Sequence, residues 1–231
     1  MKILSITTSS SICGIAILED EQVINEINLN NGLTHSESLL PLINQILNES
    51  KLSLQDIDLL AVDVGPGSFT GIRIGIATVK AFIDSLNIKY VYVNSLEGLS
   101  LNVQNTGVIC SLVDAKRDNV FAEIVENVDG NYIVRRNASF ENIIDLLEEL
   151  KQITPECSIT FVGDGAVKNK EVIVNYLPNS SFIDNNELSA KNIGILGFRN
   201  NSNPDYLKLD PLYLRKSEAE QKMEEKLNAG K

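Results

Sequence analysis

One order of elements occurs twice along this chain, and that repeat limits the fold more than any other feature. Residues KILSITTSS, CGIAILED and QVINEINL read as three short runs rich in branched residues, separated by small polar or acidic turns, the pattern of an antiparallel three-stranded unit. SLLPLINQILNES follows, with Leu39, Leu40, Leu42, Ile43, Ile46 and Leu47 at helical spacing. Then come LLAVDV as a buried strand, GIRIGIATVKAFIDSL as a helix and YVYVNS as a strand. The second half runs through the strands VICSLVDA, NVFAEIVENV and YIVRRNAS, with Asp129-Gly130 as a hairpin turn, and the helix FENIIDLLEEL. It closes with SITFVGDGA as strand and turn, VKNKEVIVNYL as a helix or helix–strand boundary, and SAKNIGILGFRN as a helix. Two duplicated α/β lobes are the simplest account. The polar stretch NVQNTG marks the expected boundary, giving an N-terminal lobe at 1–105 and a C-terminal lobe at 106–215. Residues 216–231 lack a broad apolar face and predict a frayed or disordered charged tail.

Composition narrows the function classes. With 231 residues, 43% hydrophobic and 22% charged, the chain is globular in type. It has no long charge-free apolar run that predicts a membrane span, and no leader pattern at Met1, so a cytoplasmic location is expected. A net charge of −11 repels phosphate backbones, so direct tRNA or other nucleic-acid binding without a partner is not expected. Cys13, Cys110 and Cys157 are far apart and flanked by apolar residues, as single buried thiols are.

The most unusual local stretch is DVGPGSFTGIRIG, residues 63–75. Glycines that end a strand and open a helix can capture an anion on backbone N–H groups. The spacing nevertheless misses both phosphate-loop patterns: no Gly-Lys-Ser/Thr is present, and Gly65, Gly67 and Gly71 give G-x-G-x-x-x-G. Another use is packing. Gly71 and Gly75 lie four apart on one helix face, where small residues let a second helix come close. Ile72, Ile76, Val79 and the Phe82/Ile83 pair add a second apolar face, more than one sheet needs to cover it.

Catalytic groups are scarce. His35 is the single histidine, which leaves a two-histidine metal site, a zinc-protease helix and a Ser-His-Asp grouping all difficult to assemble. Asp63, Asp114 and Asp164 end strands or sit in turns, where they can bind metal or bond to neighbouring backbone N–H groups. Lys116 and Arg117 can contact a phosphate or a partner's acid, or only balance Asp114 and Asp118.

GPGSFTGIRIG, THSESLLPLI, SLVDAKRDNVFAEI, GDGA at 163–166 and PLYLR at 211–215 together resemble the TsaB family of threonylcarbamoyladenosine biosynthesis proteins over nearly the whole chain. The resemblance implies two duplicated lobes of the actin, sugar-kinase and Hsp70 type, each a mixed sheet with helices. It implies a non-catalytic subunit in making N6-threonylcarbamoyladenosine at position 37 of tRNA. That subunit would homodimerise alone, pair with the catalytic subunit TsaD through helices 36–50 and 71–85, and be joined by the ATPase TsaE. Leu40, Ile43, Leu47, Ile72, Ile76 and Val79 are then expected to supply apolar contact. His35, Glu37, Arg73 and Lys80 are expected to set register, and Gly71 and Gly75 to permit close approach, so that Gly75→Leu abolishes assembly and leaves the monomer folded. No metal or cofactor is expected. Thr7 and Thr8 stand where an actin-like nucleotide site places an acid, a departure from the usual family pattern that argues against nucleotide chemistry. The alternatives from the same fold are a cleft-dependent ATPase or small-molecule kinase, and a peptidase.

Overall fold

The computed structural model describes residues 1–30, 32–153, 158–200 and 209–215; Cys157 and the expected tail at 216–231 lie outside them. The strands β1 (Lys2–Thr7), β2 (Cys13–Glu19), β3 (Gln22–Leu29), β4 (Leu59–Asp63) and β5 (Lys89–Val93) form one sheet in the order β3-β2-β1-β4-β5. A second sheet, built from β6 (Gly107–Asp114), β7 (Asn119–Val128), β8 (Asn131–Asn142), β9 (Ile159–Val162) and β10 (Ser181–Phe182), has the order β10-β9-β6-β7-β8. Each sheet is an antiparallel meander followed by parallel strands added beside its first strand. The orders match element for element, which is the duplicated mixed-sheet fold of the actin and sugar-kinase type.

Both faces of the first sheet are covered, as its continuous burial requires. On the outer face, α1 (His35–Glu49) and α2 (Phe69–Leu86) pack Leu39, Ile43, Ile46, Ile72, Ile76 and Val79 onto Leu4, Ile6, Ile15, Ile17, Leu60 and Val62. On the inner face, Ile3, Ala16, Leu18, Leu59 and Ala61 meet Ala190, Ile193 and Leu196 of α7 (Ala190–Arg199). Seating α7 this closely requires glycine, because a β-carbon at Gly197 would stand 2.7 Å from that of Ala61. In the second lobe, α4 (Ile143–Ile153) buries Ile143, Leu146, Leu147 and Leu150 on the far face, with α5 (Asp164–Lys168) and α6 (Lys170–Tyr176) alongside.

The packing crosses the expected boundary between the lobes. The short helix α3 (Ser95–Ser100) precedes the boundary but packs on β6 and β7, whereas α7, Leu209 and Leu212 follow the second sheet but pack on the first lobe. The lobes therefore exchange elements, and 106–215 is not one packing unit.

The α3 contact carries a buried acid. Glu123 of β7 is 2% exposed, and its Oε1 accepts a 2.9 Å bond from Asn94 Nδ2 while Oε2 has no partner among the described residues. Burial, and then the charge of Glu97, push its carboxyl up to about 8. A raised folded-state value means that the native chain holds this proton more tightly than the unfolded one does. Stability is therefore full below the ordinary value of 4.5 and falls as pH climbs to about 8. We expect Glu123→Gln to flatten the decline in stability between pH 5 and pH 8.5, measured as denaturation midpoints across that range; an unchanged slope would rule this source out.

Candidate functional site

Two surfaces meet at α2: the outer face that it forms with α1, and the cleft between the lobes. Both begin at the Gly-rich elbow. The loop after β4 contains a cis Gly65-Pro66 bond, Gly65 has φ 96°, and Ser68 caps α2 by accepting from Gly71 N. Ser68 N donates to Ser9 O at 2.6 Å, so the elbow lies against the turn that joins β1 to β2.

The glycines face inward, which corrects their expected role. A β-carbon at Gly67 would stand 2.2 Å from Ser9 O, at Gly71 2.0 Å from Thr8 O, and at Gly75 2.6 Å from Thr8 Oγ1. They allow α2 to press on its own lobe, and a partner helix cannot use them. Ile43, Leu47, Ile72, Ile76 and Val79 are likewise buried in the lobe's own core and unavailable for apolar contact with another protein. Gly75→Leu is accordingly expected to destabilise the monomer, by about 1–3 kcal/mol of overpacking strain, read as a lower thermal midpoint of the isolated protein; an unchanged midpoint would contradict the inward placement.

What remains outside is narrower than the sequence pattern suggested. Leu40 is 56% exposed, and Pro41 of α1 and Ala77 and Ala81 of α2 are exposed as well, whereas Leu33, 57% exposed and ahead of α1, lines the cleft. The polar residues expected to set register are mostly engaged within the chain. Glu37 closes a capping box at the start of α1, its Oε2 accepting from Thr34 N at 3.1 Å, and these bonds hold its carboxyl below the usual range. His35 Nε2 sits 2.9 Å from Ser10 O and ties the start of α1 to the β1–β2 turn. Arg73 lies over the Phe69 ring, 3.9 Å from its centre, and its Nε donates to Tyr213 Oη at 2.7 Å; Lys80 Nζ is 3.2 Å from Asp210 Oδ1.

Residues 211–215 enter the sequence reading only through the family resemblance, and nothing local in the sequence places 209–215 beside α2. Leu209 is fully buried beneath α1 and α2, and Leu212 N donates to Val64 O at 2.8 Å. Arg215 then reaches the second lobe, donating from Nη1 to Ala115 O at 2.7 Å. The segment straps the outer edge of α2 to the β6–β7 turn. Two leucines pointing inward either side of Pro211 are the signal that could have indicated it.

Behind α2 the cleft encloses ≈ 1510 Å³ between the turn at Ser9, Ser10 and Ser11, the elbow, Asp114, Lys116 and Asp164. Beneath the lining residues Ser9 and Ser95, Asp63 is 1% exposed. Its Oδ2 accepts from Thr7 Oγ1 at 2.7 Å, and its Oδ1 from Ser95 Oγ at 2.6 Å and Gly65 N at 2.8 Å. Burial pushes this carboxyl up, and the hydroxyls of Ser9, Ser95 and Thr7 with the Gly65 N–H oppose the shift. Thr7 thus carries no charge of its own and donates its hydroxyl to the acid on the next strand. Thr8 Oγ1 is also spent, donating to Gly71 O at 2.8 Å.

The other two carboxylates are engaged as well. Asp114 receives Lys116 Nζ and Lys168 Nζ, each at 2.8 Å; burial alone would raise it, but the lysines outweigh that and hold it at about 2. Asp164 Oδ1 accepts from Asp114 N at 2.9 Å. Among the described residues, Asp63, Asp114 and Asp164 do not gather as a metal-ligand group. The β6–β7 turn holds Lys116, Arg117 and Asp118 at φ 68°, 52° and 59°, a left-handed run closed by Asn119 Nδ2 on Arg117 O. We expect Asp63→Asn, which sets an amide N–H₂ against groups that are all donors, to cost about 1–3 kcal/mol, measured by denaturant midpoint; no loss would show that these bonds do not organise the elbow.

Among the described residues no helix is long and apolar enough to cross a membrane. The family model described as TsaD, tRNA N6-adenosine threonylcarbamoyltransferase, matches residues 30–201. The tRNA threonylcarbamoyladenosine biosynthesis protein TsaB of Bacillus subtilis (strain 168) is 32% identical over 96% of this chain and 97% of its own. A solved Pseudomonas aeruginosa structure, described as an uncharacterised protein similar to the peptidase YeaZ, superposes with a TM-score of 0.75 at 21% identity, covering 93% of this chain and 99% of that one. A structure of YeaZ from the same species gives 0.70 at 18% identity, over 92% and 99%. The chain therefore belongs to the TsaB family, within the wider group that the TsaD family model describes.

Proposed function

We propose that this protein acts in tRNA threonylcarbamoyladenosine biosynthesis as a non-catalytic subunit that binds the TsaD enzyme through the outer face of α1 and α2, with TsaE joining the assembly and a homodimer forming in TsaD's absence. The observation that carries this reading is the exposed apolar set of Leu40 and Pro41 on α1 with Ala77 and Ala81 on α2, which the chain's own described residues leave uncovered while the larger apolar side chains Leu39, Ile43, Ile46, Ile72, Ile76 and Val79 of the same helices are buried. Apolar surface of this kind, bordered by polar side chains, is what a partner covers. The cleft supports the same division of labour. Beneath its lining Asp63 is surrounded by donors and Thr7 and Thr8 are committed to internal bonds, and His35 at its edge sits against a backbone carbonyl.

A second reading follows from the size of that cleft and from Lys116 at its edge: a nucleotide-dependent enzyme working between the lobes. Size-exclusion chromatography with light scattering, on the protein alone and mixed with TsaD, separates the two. We expect Leu40→Asp, at an exposed position that leaves the core untouched, to weaken TsaD binding at least tenfold with the thermal midpoint retained. Calorimetry with ATP and Mg²⁺ on the isolated protein is expected to show weak or no binding. Normal TsaD binding by Leu40→Asp, together with submicromolar ATP affinity and turnover, would favour the second reading.

A further inference from the structure

The outer face of α2 does not end at the helix. Arg73 and Lys80 lie two turns apart, and both reach the same short segment, Arg73 to Tyr213 and Lys80 to Asp210. Residues 210–213 therefore run beside the helix for about 10 Å. Tyr213 is anchored from below: its ring stacks on Phe69 with centres 4.8 Å apart, and its hydroxyl accepts from Arg73. It remains 46% exposed, beside the α2 face on which Arg73 and Ala77 lie four residues apart, and with Phe69 and Arg73 it also forms the rim of the cleft. The guanidinium above Phe69 uses only Nε for hydrogen bonding among the described residues, so the donors of its Nη groups are open to an incoming acceptor.

We infer that Tyr213, held by Phe69 and Arg73, is an anchor of the docking surface, and that the surface is complete only when the strap lies along α2. This rests on the reading that the α1–α2 face binds a protein partner. A rigid aromatic ring with a polar tip, next to an arginine with unused planar donors, is the kind of pair that concentrates binding energy near the middle of an interface. The matching partner surface is an apolar helix face carrying a carboxylate opposite Arg73, since that guanidinium presents paired donors to such an acceptor. The inference also gives the strap a use beyond covering apolar surface. Leu209 and Leu212 fasten it below, Arg215 ties it to the second lobe, and between them Tyr213 and Asp210 are turned to solvent beside the helix.

The test measures the affinity of the full-length protein for TsaD in four forms: wild type, Tyr213→Ala, Tyr213→Phe and Asp210→Lys, with Leu40→Asp as the reference for the face itself. We expect Tyr213→Ala to weaken binding at least tenfold and Tyr213→Phe less than threefold, because the ring and its stacking survive. Asp210→Lys, at an exposed position, places like charge beside Lys80 and should weaken binding without loss of folding, which keeps the question open to test if Tyr213→Ala does not fold. If folded Tyr213→Ala and Asp210→Lys both bind within threefold of wild type while Leu40→Asp does not bind, the strap inference is overturned and the α1–α2 face stands. If Leu40→Asp also binds normally, the face itself is overturned.

Discussion

The arrangement depends on how closely α2 lies against the turn between the first two strands. Three glycines, Gly67, Gly71 and Gly75, leave no room for a side chain between the helix backbone and Ser9 or Thr8. That contact fixes the elbow, and the elbow fixes Asp63, which gathers hydroxyls from the first strand and from α3 at one buried carboxylate. The same contact decides what is left outside. A helix pressed this deeply buries Ile72, Ile76 and Val79, and the small Ala77 and Ala81 with polar residues such as Arg73 and Asp84 are left exposed.

Much of the architecture could be read from the sequence because both halves obey one grammar. The three branched runs at the start became the antiparallel meander, and the Asp129-Gly130 signal became the β7–β8 hairpin. Such features are local, since alternation and turn chemistry act over a few residues. What was not legible was which face of α2 each residue occupies. Gly71 and Gly75 carry the same spacing whether they meet a partner or their own Thr8, and apolar residues round most of the helix do not say which side the sheet takes. The exchange of α3 and α7 between lobes was equally hidden: α7 returns to strands as far as 185 positions upstream, as Ser5 and Ala190 show, and no local pattern says which sheet the short α3 takes.

The site followed the same division. Asp63 was singled out as a strand-terminal acid that would bond to neighbouring groups, and it does bond to Gly65 N, but its hydroxyl partners come from 56 positions upstream at Thr7 and 32 downstream at Ser95. Arg73 and Lys80 were marked as residues that set register; the structure places both against a strap 140 and 130 positions away. Long-range pairings of this kind leave no local pattern. The family relationship carries the biosynthetic context; the assignment of partner binding to an outer face of two helices and a returning strap is our proposal, and the polar groups around Asp63 behind that face are turned on one another.

The most direct measurement of that claim is hydrogen–deuterium exchange on the full-length protein with and without TsaD. The account predicts new protection in peptides covering 33–48, 70–84 and 209–215, with the turns at 8–12 and 115–118 unchanged. Protection confined to those two cleft turns, with the helices and the strap exchanging as in the free protein, would contradict it.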